Sequence, residues 1–163
     1  EYKPSETRAI CYLNNCSKTL LLITQIGVPA LGVTLDFGHA MYGTPNPAEE
    51  LVLLAESGKP YYIHINDNDG RWDWDFFCGT KHIVEYAEFL FYLRKYRYED
   101  FLTSDTSPTR WDISGTFAAN NRITLKLWAA LERMEGKQFG KLVGSGDYLA
   151  TWKFIEENLL GLK

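Results

Sequence analysis

Cysteine is scarce in this chain. Cys11, Cys16 and Cys78 are the only three in 163 residues, and their odd number and irregular spacing fit neither a disulfide framework nor a zinc site. They are expected as free thiols in a reducing, cytoplasmic setting. Long apolar runs are missing too, and no basic-then-apolar leader opens the sequence, so no membrane span or export is expected. Positive charge is not in excess: the net charge of −4 gives nucleic acid no electrostatic attraction. What is present is a globular composition, 45% hydrophobic and 23% charged, in a length suited to one core. Aromatics reach 15%; flat rings wall sugar and small-molecule sites, and they fill cores equally well.

Helix and strand patterns alternate along the chain. LLLITQIG (Leu20–Gly27) is apolar and stops at a glycine, as helices do. A buried strand follows at Leu31–Leu35. NPAEELVLLAESG reads as a helix, with proline near its start, acidic residues in its first turn and Gly58 at its stop. PYYIHIND is a second buried strand, IVEYAEFLFYLRKY a helix, DFLTSD a third strand and TFAANNRITLKLWAALERM a long helix. Apolar strands separated by helices predict parallel βαβ units. The opening EYKPSETR reads as a strand end, with Glu1 and Lys3 on one side and Pro4 stopping it. Residues 136–163 differ: a glycine-rich linker leads to an amphipathic helix capped by Asp147, with Leu149, Trp152, Ile155 and Leu159 on one face. That face packs on its own domain or docks on a second subunit.

The stretch IHINDNDGRWDWD (Ile63–Asp75) crowds four aspartates beside a histidine. Carboxylates that repel one another need a cation to hold them together. Each strand also ends in a side chain of chemical interest: Asp36 with His39 in the next turn, His64 running into Asn66 and Asp67, and Asp105. Reactive groups of α/β barrels sit at such C-terminal strand ends. Glu1, Asp36, His64 and Asp105 together make a cage for an oxygen-favouring divalent cation with one nitrogen ligand. His39, Asp73 and Asp75 make a second set: two residues apart in an extended loop, the aspartates would point the same way, with Trp72 and Trp74 opposite. Two cations a few ångströms apart can grip adjacent oxygens of one substrate. Taken singly, His64 reads more often as a hydrogen-bonded core histidine, and each aspartate as a cap or turn residue. His82 has no evident partner and reads as a surface residue.

These motifs resemble the C-terminal half of the xylose-isomerase-like TIM barrels, closest in pattern to the L-rhamnose isomerase and sugar isomerase group. EYKPSETR is similar to their Glu-x-Lys-Pro-x-Glu-x-Arg segment, LDFGHA to their Asp/Glu-x-x-His turn, HINDNDGRWDWD to their His-x-Asn-Asp and Asp-x-Asp stretch, and TSDTSPTR to their last strand. The resemblance covers about residues 1–135. It implies an α/β fold, the C-terminal half of a (β/α)8 barrel followed by a helical tail. It implies a sugar isomerase with two divalent metals, Mn²⁺, Co²⁺ or Mg²⁺ rather than Zn²⁺. Glu1, Asp36, His64 and Asp105 would hold the structural metal; His39, Asp73 and Asp75, with Asp36, the catalytic one. Lys3, Asp73 and His39 would be catalytic, and Lys3, His39, Arg71 and Trp72 would touch the sugar.

The sequence departs from the family in two places. Asn66 stands where xylose isomerases proper place an aspartate ligand, which assigns that role to His64. The first four βα units have no counterpart, so the chain is expected to stay bound to an N-terminal half or to pair with a second copy as a homo-oligomer, its open sheet leaving apolar strand faces wet. Three rivals remain: a sugar 3-epimerase, an endonuclease IV-like phosphodiesterase, against which Asp75 and the acidic charge count, and an inert metal-binding half barrel.

Overall fold

In a computed structural model of the chain, residues 1–43, 46–107 and 109–162 are described. They form two compact units, Glu1–Asn121 and Arg122–Lys163.

The first unit opens with a small antiparallel ribbon, β1 (Ser5–Glu6) and β2 (Ala9–Ile10), followed by α1 (Cys16–Ile26). Then come β3 (Val33–Asp36), α2 (Phe37–Gly43), α3 (Pro47–Glu56), β4 (Tyr61–Ile65), α4 (Ile83–Lys95), β5 (Leu102–Ser104) and the start of α5 (Ile113–Glu135). The local chemistry explains the boundaries. The Asn15 side chain accepts from Lys18 N–H at the start of α1, and Gly27 closes that helix at φ 72°. Asn46 accepts from Glu49 N–H ahead of Pro47, which needs no N–H partner at a first helical position.

The fold is mixed α/β, and among the described residues its parallel sheet has three strands in the order β3-β4-β5 and does not close. Register aligns the strand ends: Asp36 lies opposite His64, and His64 opposite Thr103. Asp105 N–H donates to the Ile65 carbonyl at 3.1 Å, extending the ladder one residue beyond β5. Successive side chains alternate between faces. Val33, Leu35, Ile63 and Ile65 share the face that is buried, at 0–3% exposure, with Leu102 half-buried beside them. After β3, Phe37 sets its ring edge-on to Tyr86 at 5.3 Å and Phe89 at 5.4 Å.

The other face carries Thr34, Asp36, Tyr62, His64 and Thr103, and Tyr62 and Thr103 share a short hydroxyl–hydroxyl hydrogen bond. The expected exposure of apolar strand faces is therefore corrected. The uncovered face is polar because every second residue of these strands is Thr, Tyr, His or Asp.

In the opening segment, Glu1 lies outside the strands of the described residues. Lys3 N–H donates to the Leu13 carbonyl at 3.0 Å and Cys11 N–H to the Pro4 carbonyl at 3.2 Å, so the segment spends its backbone groups on the loop that follows it. The three cysteines are free; Cys16 and Cys78 are buried.

In the second unit, α5 continues to Glu135, and the stretch expected as a linker carries α6 (Phe139–Gly144) before α7 (Tyr148–Asn158). Phe139 stacks on Phe154 at 5.3 Å, which gives the glycine-rich stretch an apolar anchor. Asp147 accepts from Ala150 N–H at 3.0 Å as the cap of α7. Of the expected apolar face, Leu149 is 85% exposed and Trp152 47%, whereas Ile155 and Leu159 are half-buried. No helix among the described residues is long and apolar enough to cross a membrane.

Candidate metal centre

The polar face of the sheet ends in a cluster. Glu1, Asp36, His64 and Asp105 each offer a ligand atom, and these atoms lie within 4.8 Å of one another. His64 Nδ1 faces Glu1 Oε2 at 3.3 Å, Asp105 Oδ2 at 3.5 Å and Asp36 Oδ2 at 3.9 Å. Although buried, that nitrogen makes no hydrogen bond among the described residues. An imidazole nitrogen ringed by three carboxylates and bonded to none is the donor set an oxygen-favouring divalent cation accepts.

Asp36 is fully buried and held by three hydrogen bonds from two groups. His39 N–H donates to Oδ1 at 2.8 Å, and the Asn66 amide donates to both oxygens at 3.1 and 2.9 Å. Asn66 is itself fixed, accepting from Gly38 N–H at 2.7 Å; a Cβ at Gly38 would lie only 2.5 Å from that amide oxygen. Asn66 thus orients the neighbouring carboxylate. Burial pushes the Asp36 carboxyl up to about 6, against the opposing pull of His39.

The second set is only partly assembled. His39 Nε2 lies 3.1 Å from Asp73 Oδ2, Lys3 Nζ lies 2.8 Å from the same oxygen, and His39 Nδ1 lies 3.0 Å from Glu1 Oε1. Burial alone would lower the His39 pKa, but hydrogen bonds to Asp73 and Glu1 outweigh it and push it up to about 10. The same contacts, with Lys3, hold Asp73 well below the usual carboxylate range despite its burial. Among the described residues, His39, Asp73 and Asp75 do not bring ligand atoms together as tightly as the first cluster does. Asp75 is not in an extended loop as expected. Its φ of 50° lies in the left-handed region, uncommon for a residue with a side chain and a frequent mark of functional sites. The turn still brings its carboxyl to that of Asp73; burial and the charges of Asp73 and Asp105 push it up to about 7.

These groups open on a cavity of about 530 Å³ whose wall includes Glu1, Lys3, His39, Asp73, Asp75 and Asp105. Arg71 and Trp72, expected to touch substrate, do not line it. The Asp69 carboxylate accepts from both their backbone N–H groups, at 3.0 and 3.2 Å, and turns the loop there. His82, expected as an unpartnered surface residue, is also corrected: its Nδ1 lies 2.7 Å from Asp67 Oδ1. Buried Asp67 also accepts from the N–H groups of Lys81 and His82 and bridges backbone to backbone with Phe76, so it closes the aspartate loop instead of facing the cavity.

Two supports carried no signal in the sequence. The Tyr2 hydroxyl donates to Glu50 on α3 in a short buried hydrogen bond, and the Tyr2 carbonyl lies 3.1 Å from His39 Nδ1. Both features place a residue between two candidate site residues, Glu1 and Lys3. No protein-family model matches the chain, and no curated protein matches its sequence.

Proposed function

We propose that the chain is the metal-binding half of an aldose–ketose isomerase built on a (β/α)8 barrel, as its resemblance to the xylose-isomerase-like group implies. The observation that carries this reading is the four-residue cluster of Glu1, Asp36, His64 and Asp105, with Lys3 and Asp73 beside it in one cavity. Three carboxylates and one imidazole suit Mn²⁺, Co²⁺ or Mg²⁺. His39, Asp73 and Asp75 would complete a second position. Bound cations supply Lewis-acid polarisation of adjacent sugar oxygens.

The reaction moves a hydride from C2 to the C1 carbonyl carbon of the open-chain sugar, and the O2 proton ends on O1. Lys3, protonated and reaching into the cavity, donates to the oxygen on which negative charge develops. Asp73 sits within reach of both Lys3 and His39 and assists the proton transfer as a hydrogen-bond acceptor for the hydroxyl, staying ionised itself. His39 fixes Asp73 from one side and Glu1 from the other.

The two outer strands, β3 and β5, present unpaired backbone among the described residues, the edges a barrel closes with neighbours. This supports association with an N-terminal half barrel or with a second copy of the chain. Calorimetry with Mn²⁺ tests the central reading: binding tighter than millimolar, lost in Asp36→Ala, is expected. Weaker binding in the parent would sink it. Light scattering tests the association; a monodisperse, cooperatively folding single chain would refute it.

A further inference from the structure

A second cavity, of about 510 Å³, lies beside the metal centre and shares Asp75 with it. We infer that it binds a pyranose ring, so that the substrate is a glycosylated sugar whose open-chain end occupies the metal cavity. This rests on the isomerase reading for the identity of that end, and on independent observations for the ring.

Two tryptophans wall the cavity, and both are half exposed: Trp74 at 51% and Trp111 at 52%. Neither is loose. Trp74 lies nearly parallel to Phe76, at 8° and 6.5 Å, and its side chain donates to Asp69. Trp111 sets against Phe77 at 5.5 Å. Exposed rings held in place are a preorganised platform, because a ligand that stacks on them orders little.

The polar wall decides what stacks. Asp69 and Asp75 accept hydrogen bonds; Lys81 and Arg110 donate them. Asp69 offsets part of the charge of Lys81 and Arg110, and the Asp75 carboxyl, pushed up to about 7, can donate as well as accept. An apolar ligand would strip water from these polar groups without replacing it. A pyranose presents hydroxyls that both donate and accept, and an apolar C–H face that lies on an indole. Continuity through Asp75 joins this ring to a sugar reaching the metal centre.

The test uses methyl glycosides of common pyranoses, which cannot open and so cannot be isomerised. Saturation-transfer NMR on the full chain should show transfer to the ring C–H protons of at least one glycoside, with shifts of the Trp74 and Trp111 indole N–H signals. Trp111→Ala and Trp74→Ala should each weaken binding at least about fivefold, the loss of one aromatic contact, while Mn²⁺ calorimetry stays unchanged. Absence of any glycoside binding by the parent overturns the inference. So does binding that leaves both indole signals unmoved, a readout that stands even if the alanine variants fail to fold. The two readings fail separately: glycoside binding without Mn²⁺ binding removes the isomerase and keeps the sugar site, and the converse removes only this inference.

Discussion

Replacing Glu50 by glutamine should stabilise the protein above neutral pH and leave it unchanged in acid. Glu50 is buried at 6% exposure in the first turn of α3 and takes hydrogen bonds from the Tyr2 hydroxyl and from Cys16 N–H. Burial pushes its carboxyl from 4.5 up to about 7, although the Cys16 N–H pulls the other way. The folded chain therefore binds this proton more tightly than the unfolded chain. Stability linked to Glu50 is full below about 4.5 and is lost as pH rises through about 7. At ~1.36 kcal/mol per pH unit, that interval amounts to about 3 kcal/mol. Glutamine removes the charge and keeps both contacts: its oxygen accepts from Cys16 N–H, and its amide donates to the Tyr2 oxygen. For a chain of this length the gain corresponds to a Tm rise of roughly 6–12 °C at pH 8. Thermal melts followed by circular dichroism from pH 4.5 to 8.5 measure it. A variant that is less stable than the parent at pH 8, or a difference that does not grow between pH 5 and 8, would refute the reasoning.

Three other outcomes follow from named contacts. Asn66→Ala removes both amide donors to Asp36 and should weaken Mn²⁺ binding roughly 10–100-fold in calorimetry, the usual cost of losing an orienting neighbour. Asp67→Ala strands the Lys81 and His82 N–H groups and should cost about 2–3 kcal/mol in urea unfolding, with faster amide exchange at Phe76. In an active assembly, Lys3→Ala should lower kcat with Mn²⁺ affinity retained, whereas Asp73→Asn should lower both; parent-like turnover in both variants would reject the assigned roles.

Much of the sheet was legible because its signal is local. The strands of 33–36 and 61–65 read as short apolar runs separated by helix patterns, so parallel pairing follows from that alternation, and Asp36 and His64 fall at the same end of the sheet. The polar alternate residues of those strands, Thr34, Tyr62 and His64, were in plain view, and they make the uncovered face wet-compatible. What was illegible depends on long-range contacts. Nothing near Glu50 marks it as the partner of Tyr2, 48 residues away. Nothing near His82 points to Asp67, because the loop must fold back before they meet. The Asp73–Asp75 spacing suggested an extended pair, but Asp75 takes φ 50°, beside the backbone bridge between Asp67 and Phe76.

Why Glu1 belongs to the cluster at all is answered by that hidden contact. Asp36, His64 and Asp105 are placed by the sheet, and their separation is set by strand spacing and register. Glu1 lies outside any strand. Its position rests on Tyr2, 1% exposed, whose hydroxyl is held by Glu50 and whose carbonyl meets His39, and on the Lys3 N–H bond to Leu13. Each of these contacts runs through α2, α3 or the loop before α1, none through the sheet. Glu1, and the Lys3 ammonium two residues later, are therefore carried by contacts to α2, α3 and the loop before α1, whereas Asp36, His64 and Asp105 are carried by the sheet. Loss of the Tyr2 anchor would release Glu1 and Lys3 together and leave Asp36, His64 and Asp105 in register. The Glu1 carboxylate and the Lys3 ammonium are thus coupled through one buried tyrosine, and α2 and α3 are as much a part of the candidate site as the strand ends.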